Sequence, residues 1–287
     1  MNDSLCDKKM KGKVIAIHSS RGGTGKTMVA TNLAATYANK GLNIALLDLD
    51  FRAPSLVTVF SKGIRCPVGH WLNDFLDSKC SAEQALINVS EGYNLKGKLL
   101  LGLANPAIEA IRNIMEKSRA WEVTSVKKLF SLRPTLFNDM NIDCCIFDTS
   151  PGVQFSSINA VISSDISVIV TTLDSLDITG VENMLAELYD AFEKRTVVLI
   201  NKVFPETRIW SSDRQKALIS QMENFLKHPI IGVIPCYCDV LQAERASLLA
   251  VDKPYHPFLR NLEGVAEKLE CFMETNSEED VLCKTKL

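Results

Sequence analysis

The stretch Ser19-Ser20-Arg21-Gly22-Gly23-Thr24-Gly25-Lys26-Thr27 decides how this chain is read. It lies between a short apolar run, Val14–His18, and a segment, Thr27–Lys40, in which Val29, Leu33 and Tyr37 recur at i, i+4 and i+8. The run has the form of a strand buried on both faces. The segment has the form of one helix face, with Gly41 as its C-terminal stop. A glycine-rich turn between strand and helix suits a polyphosphate. Gly22, Gly23 and Gly25 let the backbone turn tightly and bring N–H groups close to oxygens. Thr24 and Met28 complete the loop and the first helical turn, whose positive dipole end points the same way. Lys26 can reach β- and γ-phosphates, and the Thr27 hydroxyl can ligate Mg²⁺.

Outward from this loop, short apolar runs alternate with amphipathic stretches. The runs are Ile44–Leu49, Leu99–Leu101, Cys144–Phe147, Ser167–Thr171, Val197–Ile200 and Ile230–Ile234. Most lack period-2 alternation, so a parallel sheet covered on both faces is expected. Helices are expected at Ile178–Phe192, Ser212–Leu226 and Val240–Leu249, and a last one carries the stripe Leu262, Val265, Leu269 and Phe272. Ala107–Glu116 and Ala120–Ser131 read as helices of an insertion within the less regular region 66–140. No linker or internal repeat divides the chain. The expected fold class is α/β: a single doubly wound, mostly parallel sheet flanked by helices, spanning 12–273, with 1–11 and 274–287 as flexible termini.

A phosphate loop of this kind needs carboxylates for Mg²⁺ and for orienting water, at the C-terminal ends of neighbouring strands. Asp48-Leu49-Asp50 follows the second strand, and Asp148-Thr149-Ser150-Pro151-Gly152 follows the Cys144–Phe147 run. Asp48 is open to a purely local role as the cap of the loop after its strand. Leu199-Ile200-Asn201-Lys202 ends a later strand, and Asn201 offers both a donor and an acceptor. It is either a base ligand or a turn residue. A guanine-reading Asn-Lys-x-Asp signature is absent, because Val203-Phe204-Pro205 follows Lys202.

The loop departs from G-x-x-x-x-G-K-[ST], with Ser20 where glycine would stand and a basic residue before Gly-Gly. It resembles the deviant Walker A loop of the MinD/ParA family of P-loop ATPases, close to Lys-Gly-Gly-x-x-Lys-[ST]. The family's first lysine is Arg21 here. The resemblance covers roughly residues 12–272 and is absent at 66–140. It implies a MinD-like SIMIBI P-loop fold and ATP with Mg²⁺ as cofactors. It also implies slow hydrolysis and a homodimer in the ATP state that controls the positioning or partitioning of a cargo, with an activating partner protein. By position it assigns Asp50 to the attacking water and, through water, to the metal. Asp148 holds the metal through water, and the Gly152 N–H senses the γ-phosphate. Asn201 and Pro235 line adenine, and Arg21 reaches the partner's phosphates. Arg21 is alternatively paired within its own subunit, with Asp50 or Asp148.

The remaining signals bound the function. The chain has 287 residues, 46% hydrophobic and 23% charged, with a formal net charge of −2, which excludes a disordered chain and any global attraction to nucleic acid or anionic membrane. Nine scattered cysteines without a secretory leader or an apolar run long enough to span a membrane point to reduced thiols and a cytoplasmic protein. Cys236-Tyr237-Cys238 is either two loop residues or half a metal site, which keeps a metallocofactor-maturation ATPase as the alternative function. Non-specific DNA binding would need a local patch, for which Arg208, Arg214, Lys216, Lys227 and Arg245 are the candidates against an ordinary solvated face. The acidic tail after Met273 argues against membrane targeting. A scaffold without turnover is the third reading.

Overall fold

In the computed structural model, which describes residues 10–204, 212–242 and 248–274, every apolar run named above is a strand. The strands are β1 (Lys13–His18), β2 (Ile44–Leu49), β3 (Leu86–Asn88), β4 (Leu99–Gly102), β5 (Cys144–Thr149), β6 (Ile166–Thr171), β7 (Thr196–Val203) and β8 (Ile230–Pro235). They form one sheet in the order β3-β4-β2-β5-β1-β6-β7-β8. All neighbours are parallel except β3 and β4, which are antiparallel. The fold is therefore the expected α/β sheet, with one addition. The three-residue edge strand β3 is too short to carry a period of its own, and it pairs back onto β4 at the rim.

The helices are α1 (Lys26–Asn39), α2 (Leu56–Val59), α3 (Leu72–Leu76), α4 (Ile108–Met115), α5 (Arg119–Pro134), α6 (Phe155–Ser163), α7 (Ser175–Met184), α8 (Ser212–Leu226), α9 (Cys238–Gln242), α10 (Leu249–Asp252) and α11 (Pro257–Glu274). They cover both sheet faces, which explains the absence of apolar–polar alternation. Ile15, Ile17, Ile44, Leu46 and Ile146 enter the core under α1 and α11. Val14, Ala16, Ala45, Leu47 and Phe147 enter the opposite core with Leu129 and Leu132 of α5 and Val161 of α6. The stripe Leu262, Val265, Leu269 and Phe272 on α11 is buried in the first of these cores, as is Met10, so this face carries structural load.

Two local expectations are corrected. The helix expected at Ile178–Phe192 is regular from Ser175 to Met184 and then widens into a π turn, Leu185–Tyr189. Val240–Leu249 is not one helix: α9 spans Cys238–Gln242, and Leu248 is extended before the short α10. The helices expected at Ala107–Glu116 and Ala120–Ser131 are α4 and α5, between β4 and β5 as expected, and α5 buries Leu129 and Leu132 on the sheet. The expectation for the residues after Glu274 lies outside the described residues.

The strand order places the site. β1 lies between β5 and β6, and the chain winds from β1 toward β2 on one side and from β5 across to β6 on the other. Such a reversal opens a crevice at the C-terminal strand ends. Register fills it with acid: Ile17 faces Asp148 across β1–β5, and Asp48 faces Asp148 across β2–β5.

Candidate functional site

The loop after β1 takes the conformation its glycines permit. Gly23 and Gly25 have φ of +87° and +99°. A Cβ on Gly25 would stand 2.4 Å from Asn201 Nδ2, so both its φ and its surroundings demand glycine. Gly25 also caps α1 without a side-chain hydrogen bond, leaving the first-turn N–H groups of that helix aimed at the crevice.

Charge is packed behind the loop. Lys26 is almost buried, and burial lowers its pKa while Asp148 and Asp50 pull it back up. The Thr27 hydroxyl donates to Asp148 Oδ2 at 2.7 Å. Asp148 is fully buried, and burial raises its carboxyl to about 7 against the opposing pull of Thr27 and Lys26. Its second oxygen, Oδ1, is buried without a hydrogen-bond partner, as is Thr24 Oγ1. A buried carboxylate with an orphaned oxygen, beside a threonine hydroxyl and a lysine, is the donor set that suits a hydrated Mg²⁺ and a phosphate chain.

The two carboxylates of Asp48-Leu49-Asp50 part company. Asp48 Oδ2 accepts the N–H groups of Ser55 and Leu56 at 3.2 Å each, and Oδ1 accepts the Asp50 N–H at 3.1 Å. It is the cap that shapes the loop and starts α2. Burial, with Asp148 adding repulsion, pushes its carboxyl well above the usual range. Asp50 reaches the crevice instead. Its Oδ1 accepts from Ser150 Oγ at 2.9 Å, which joins the loop after β2 to the loop after β5.

Two cavities meet at the loop. One, about 520 Å³, is lined by Gly22, Gly23, Gly25, Lys26, Thr27, Met28 and Asp50. The other, about 190 Å³, is lined by Met28, Asn201, Pro235, Tyr237, Val240 and Phe258. Gly25, Met28 and Lys202 belong to both. The larger, with Lys26, Thr27, Asp50 and the loop glycines in its wall, suits phosphates, and the smaller, walled by Met28, Pro235, Tyr237 and Phe258, suits an apolar ring. Asn201 Nδ2 donates to the Thr24 carbonyl at 2.8 Å, and Lys202 Nζ donates to the Gly23 carbonyl at 2.7 Å. Lys202 is a loop tether that sequence reasoning missed. Its signal was the Asn-Lys pair itself, weighed only for a guanine signature.

Arg21 is held within its own subunit, but by neither Asp50 nor Asp148. Its guanidinium lies 3.5 Å from Asp177 and 3.6 Å from Asp174, both at the start of α7. The side chain remains about half exposed at 51%. The Gly152 N–H is also engaged, donating to the Ser19 carbonyl at 2.8 Å rather than facing the larger cavity.

Other candidates fall away from the crevice. Cys236 is half-buried beside the smaller cavity, with its thiol pushed up by burial, and Cys238 is exposed. Among the described residues no group of three or more His, Cys, Asp or Glu side chains gathers as a metal site. Arg208 and Arg245 lie outside the described residues. Arg214 and Lys216 lie near the start of α8 and Lys227 follows its end, outside the lining of the two cavities. No helix among the described residues is long and apolar enough to cross a membrane.

Fold and crevice together define a P-loop nucleotide-binding protein of the doubly wound α/β class. The chain belongs to the MinD/ParA family of P-loop ATPases, and its residues 12–201 match the family model AAA_31, described as an AAA domain. A MinD-type septum site-determining protein of Chlorella vulgaris is 29% identical over 231 residues, 80% of this chain and 74% of that one. MinD of Pyrococcus horikoshii, solved with Mg-ADP, superposes with a TM-score of 0.68 at 19% identity, over 90% of this chain and 95% of that one. A Borrelia burgdorferi protein named for plasmid partition, solved with AMPPNP, gives a TM-score of 0.69 at 20% identity over 89% and 97%.

Proposed function

We propose that this chain is a Mg·ATP-dependent switch that dimerises on ATP, hydrolyses it slowly and thereby controls the positioning or partitioning of a cargo in the cytoplasm. The observation that carries the reading is the unfinished charge behind the loop: Lys26, the Thr27–Asp148 pair and the orphaned Asp148 Oδ1. The Mg-ADP and AMPPNP of the two structural neighbours support ATP and Mg²⁺ as the missing groups. Mg²⁺, when bound, neutralises phosphate oxygens and draws electron density from the bond to be broken.

The chain's own residues do the rest. Lys26 and the α1 amides hold the β- and γ-phosphate oxygens. The Thr27 hydroxyl and Asp148, the latter through water, hold the metal. Asp50, fixed by Ser150, orients the attacking water and contacts the metal shell through water. Asn201, Met28 and Pro235 receive the adenine. Arg21 leaves Asp174 and Asp177 to meet the partner subunit's phosphates. The exposed apolar residues Val153, Phe155 and Leu176 around the crevice supply a face for the second copy. The metallocofactor alternative is weaker, because Cys236 and Cys238 gather no further ligand among the described residues.

Gel filtration of Asp50→Ala with and without Mg·ATP tests the reading. A dimer only with Mg·ATP is expected, and a monomer in both conditions would sink the dimer. Phosphate release by the wild type, lost in Lys26→Ala, tests turnover and separates the switch from an inert scaffold.

A further inference from the structure

β1 ends on a histidine, although nothing in phosphate binding calls for one. His18 is fully buried beneath the turn that follows β5. An imidazole at such a depth is costly unless both nitrogens are hydrogen-bonded, and both are. Nε2 lies 2.9 Å from the Gly152 carbonyl oxygen, and Nδ1 lies 2.5 Å from the hydroxyl of Tyr189, itself fully buried. A carbonyl only accepts, so Nε2 carries the proton and Nδ1 accepts from the Tyr189 O–H. One neutral tautomer satisfies the whole chain of bonds. Burial, which pulls the imidazole down to about 4, agrees with that neutral form.

The two peptide units of Gly152 are held differently. The carbonyl side receives His18 Nε2–H and also Ser157 Oγ–H at 2.7 Å. The amide side makes one bond, to the Ser19 carbonyl at 2.8 Å. Between them Gly152 sits at φ +71°, where a glycine rotates without the penalty a Cβ would bring. The carbonyl side is thus an anchor and the amide side a single releasable contact. That contact is made to the P-loop itself, one residue beyond His18.

We propose that His18 is a positioning residue for the switch turn. With its tautomer set by Tyr189, it holds the Gly152 carbonyl as a fixed pivot about which the Gly152 N–H swings between the Ser19 carbonyl and the terminal phosphate of a bound nucleotide. The pivot is a property of the chain alone. Its use as a nucleotide sensor rests on the ATP-switch reading above.

The two parts are tested separately. In nucleotide-free protein, hydrogen exchange read by mass spectrometry over residues 150–158 compares wild type with Tyr189→Phe, His18→Leu and His18→Gln. Tyr189→Phe is nearly isosteric and His18→Leu removes the donor, so both are expected to speed exchange there by about tenfold while β7 and α11 keep their protection. His18→Gln, which restores an N–H donor, is expected to return exchange to within about threefold of wild type. Unchanged exchange in both Tyr189→Phe and His18→Leu would overturn the pivot, as would His18→Gln exchanging as fast as His18→Leu. In the second arm, calorimetry measures the ratio of Kd values for Mg·ADP and for a non-hydrolysable Mg·ATP analogue. His18→Leu is expected to shift this ratio toward unity by about tenfold, and an unchanged ratio would overturn the sensor role. If the wild type binds neither nucleotide, the ATP-switch reading fails while the exchange result still decides the pivot.

Discussion

The two ends of the crevice are built on opposite principles. At the phosphate end the chain buries Asp48, Asp148 and Lys26 and leaves Asp148 Oδ1 and Thr24 Oγ1 without partners. At the base end Asn201 is the buried polar side chain, its amide already spent on the Thr24 carbonyl, and its surroundings are Met28, Pro235, Tyr237 and Phe258. Buried charge is expensive when incomplete. Keeping it incomplete makes structural sense only where a charged ligand finishes it. The base end costs nothing when empty, and so it contributes shape rather than drive.

If that division holds, the largest effect belongs to Lys26→Ala, with phosphate release reduced at least about 100-fold, because the ammonium is the charge nearest the transferring group. A turnover within about threefold of wild type would show that the phosphate end does not depend on it. Asp148→Asn should come next. It should abolish the Mg²⁺-dependent part of the thermal stabilisation by ATP while leaving a folded protein.

The same variant probes the cost of the empty site. The Asp148 carboxyl titrates near 7 when folded and at 3.8 when unfolded, so between those values the folded state holds more protons. Stability is therefore lost as pH rises through this window and levels off above it. Asn has no charge to bury. The nucleotide-free Asp148→Asn protein should gain on wild type by an extra amount on the order of 1 kcal/mol at pH 8 relative to pH 6. Denaturant unfolding at the two pH values measures it, and a gain equal at both would mean that the empty phosphate end carries no such cost.

Legibility followed the same division. The phosphate end was readable because its chemistry is local: glycines, lysine and threonine adjacent in sequence, and carboxylates at the ends of apolar runs. The sheet was readable because strands buried on both faces leave continuous apolar runs. What escaped depends on distant pairings. Arg21 finds Asp174 and Asp177 only because β6 is placed beside β1. Gly152 spends its N–H on Ser19, and Lys202 tethers Gly23, through contacts that no spacing encodes. Strand β3 was obscured for another reason. A three-residue edge strand has no period, whereas the longer α5 was legible at Ala120–Ser131.

The smallest expected effect bears on which end owns Asn201. Its amide nitrogen holds the phosphate loop, and its oxygen remains available to a base amine, so Asn201→Ala mixes two losses. ATP and inorganic triphosphate separate them, since triphosphate has no base. Lys202 still holds the neighbouring Gly23 carbonyl in the variant, so the loop keeps a tether and triphosphate should bind within about twofold of wild type. ATP should bind about tenfold more weakly, the range of one or two ordinary hydrogen bonds. Equal losses for both ligands would move Asn201 to the phosphate end and break the comparison. A loss for ATP alone sharpens it, because the base end would then act by selecting the ligand and not by shaping the loop that holds it.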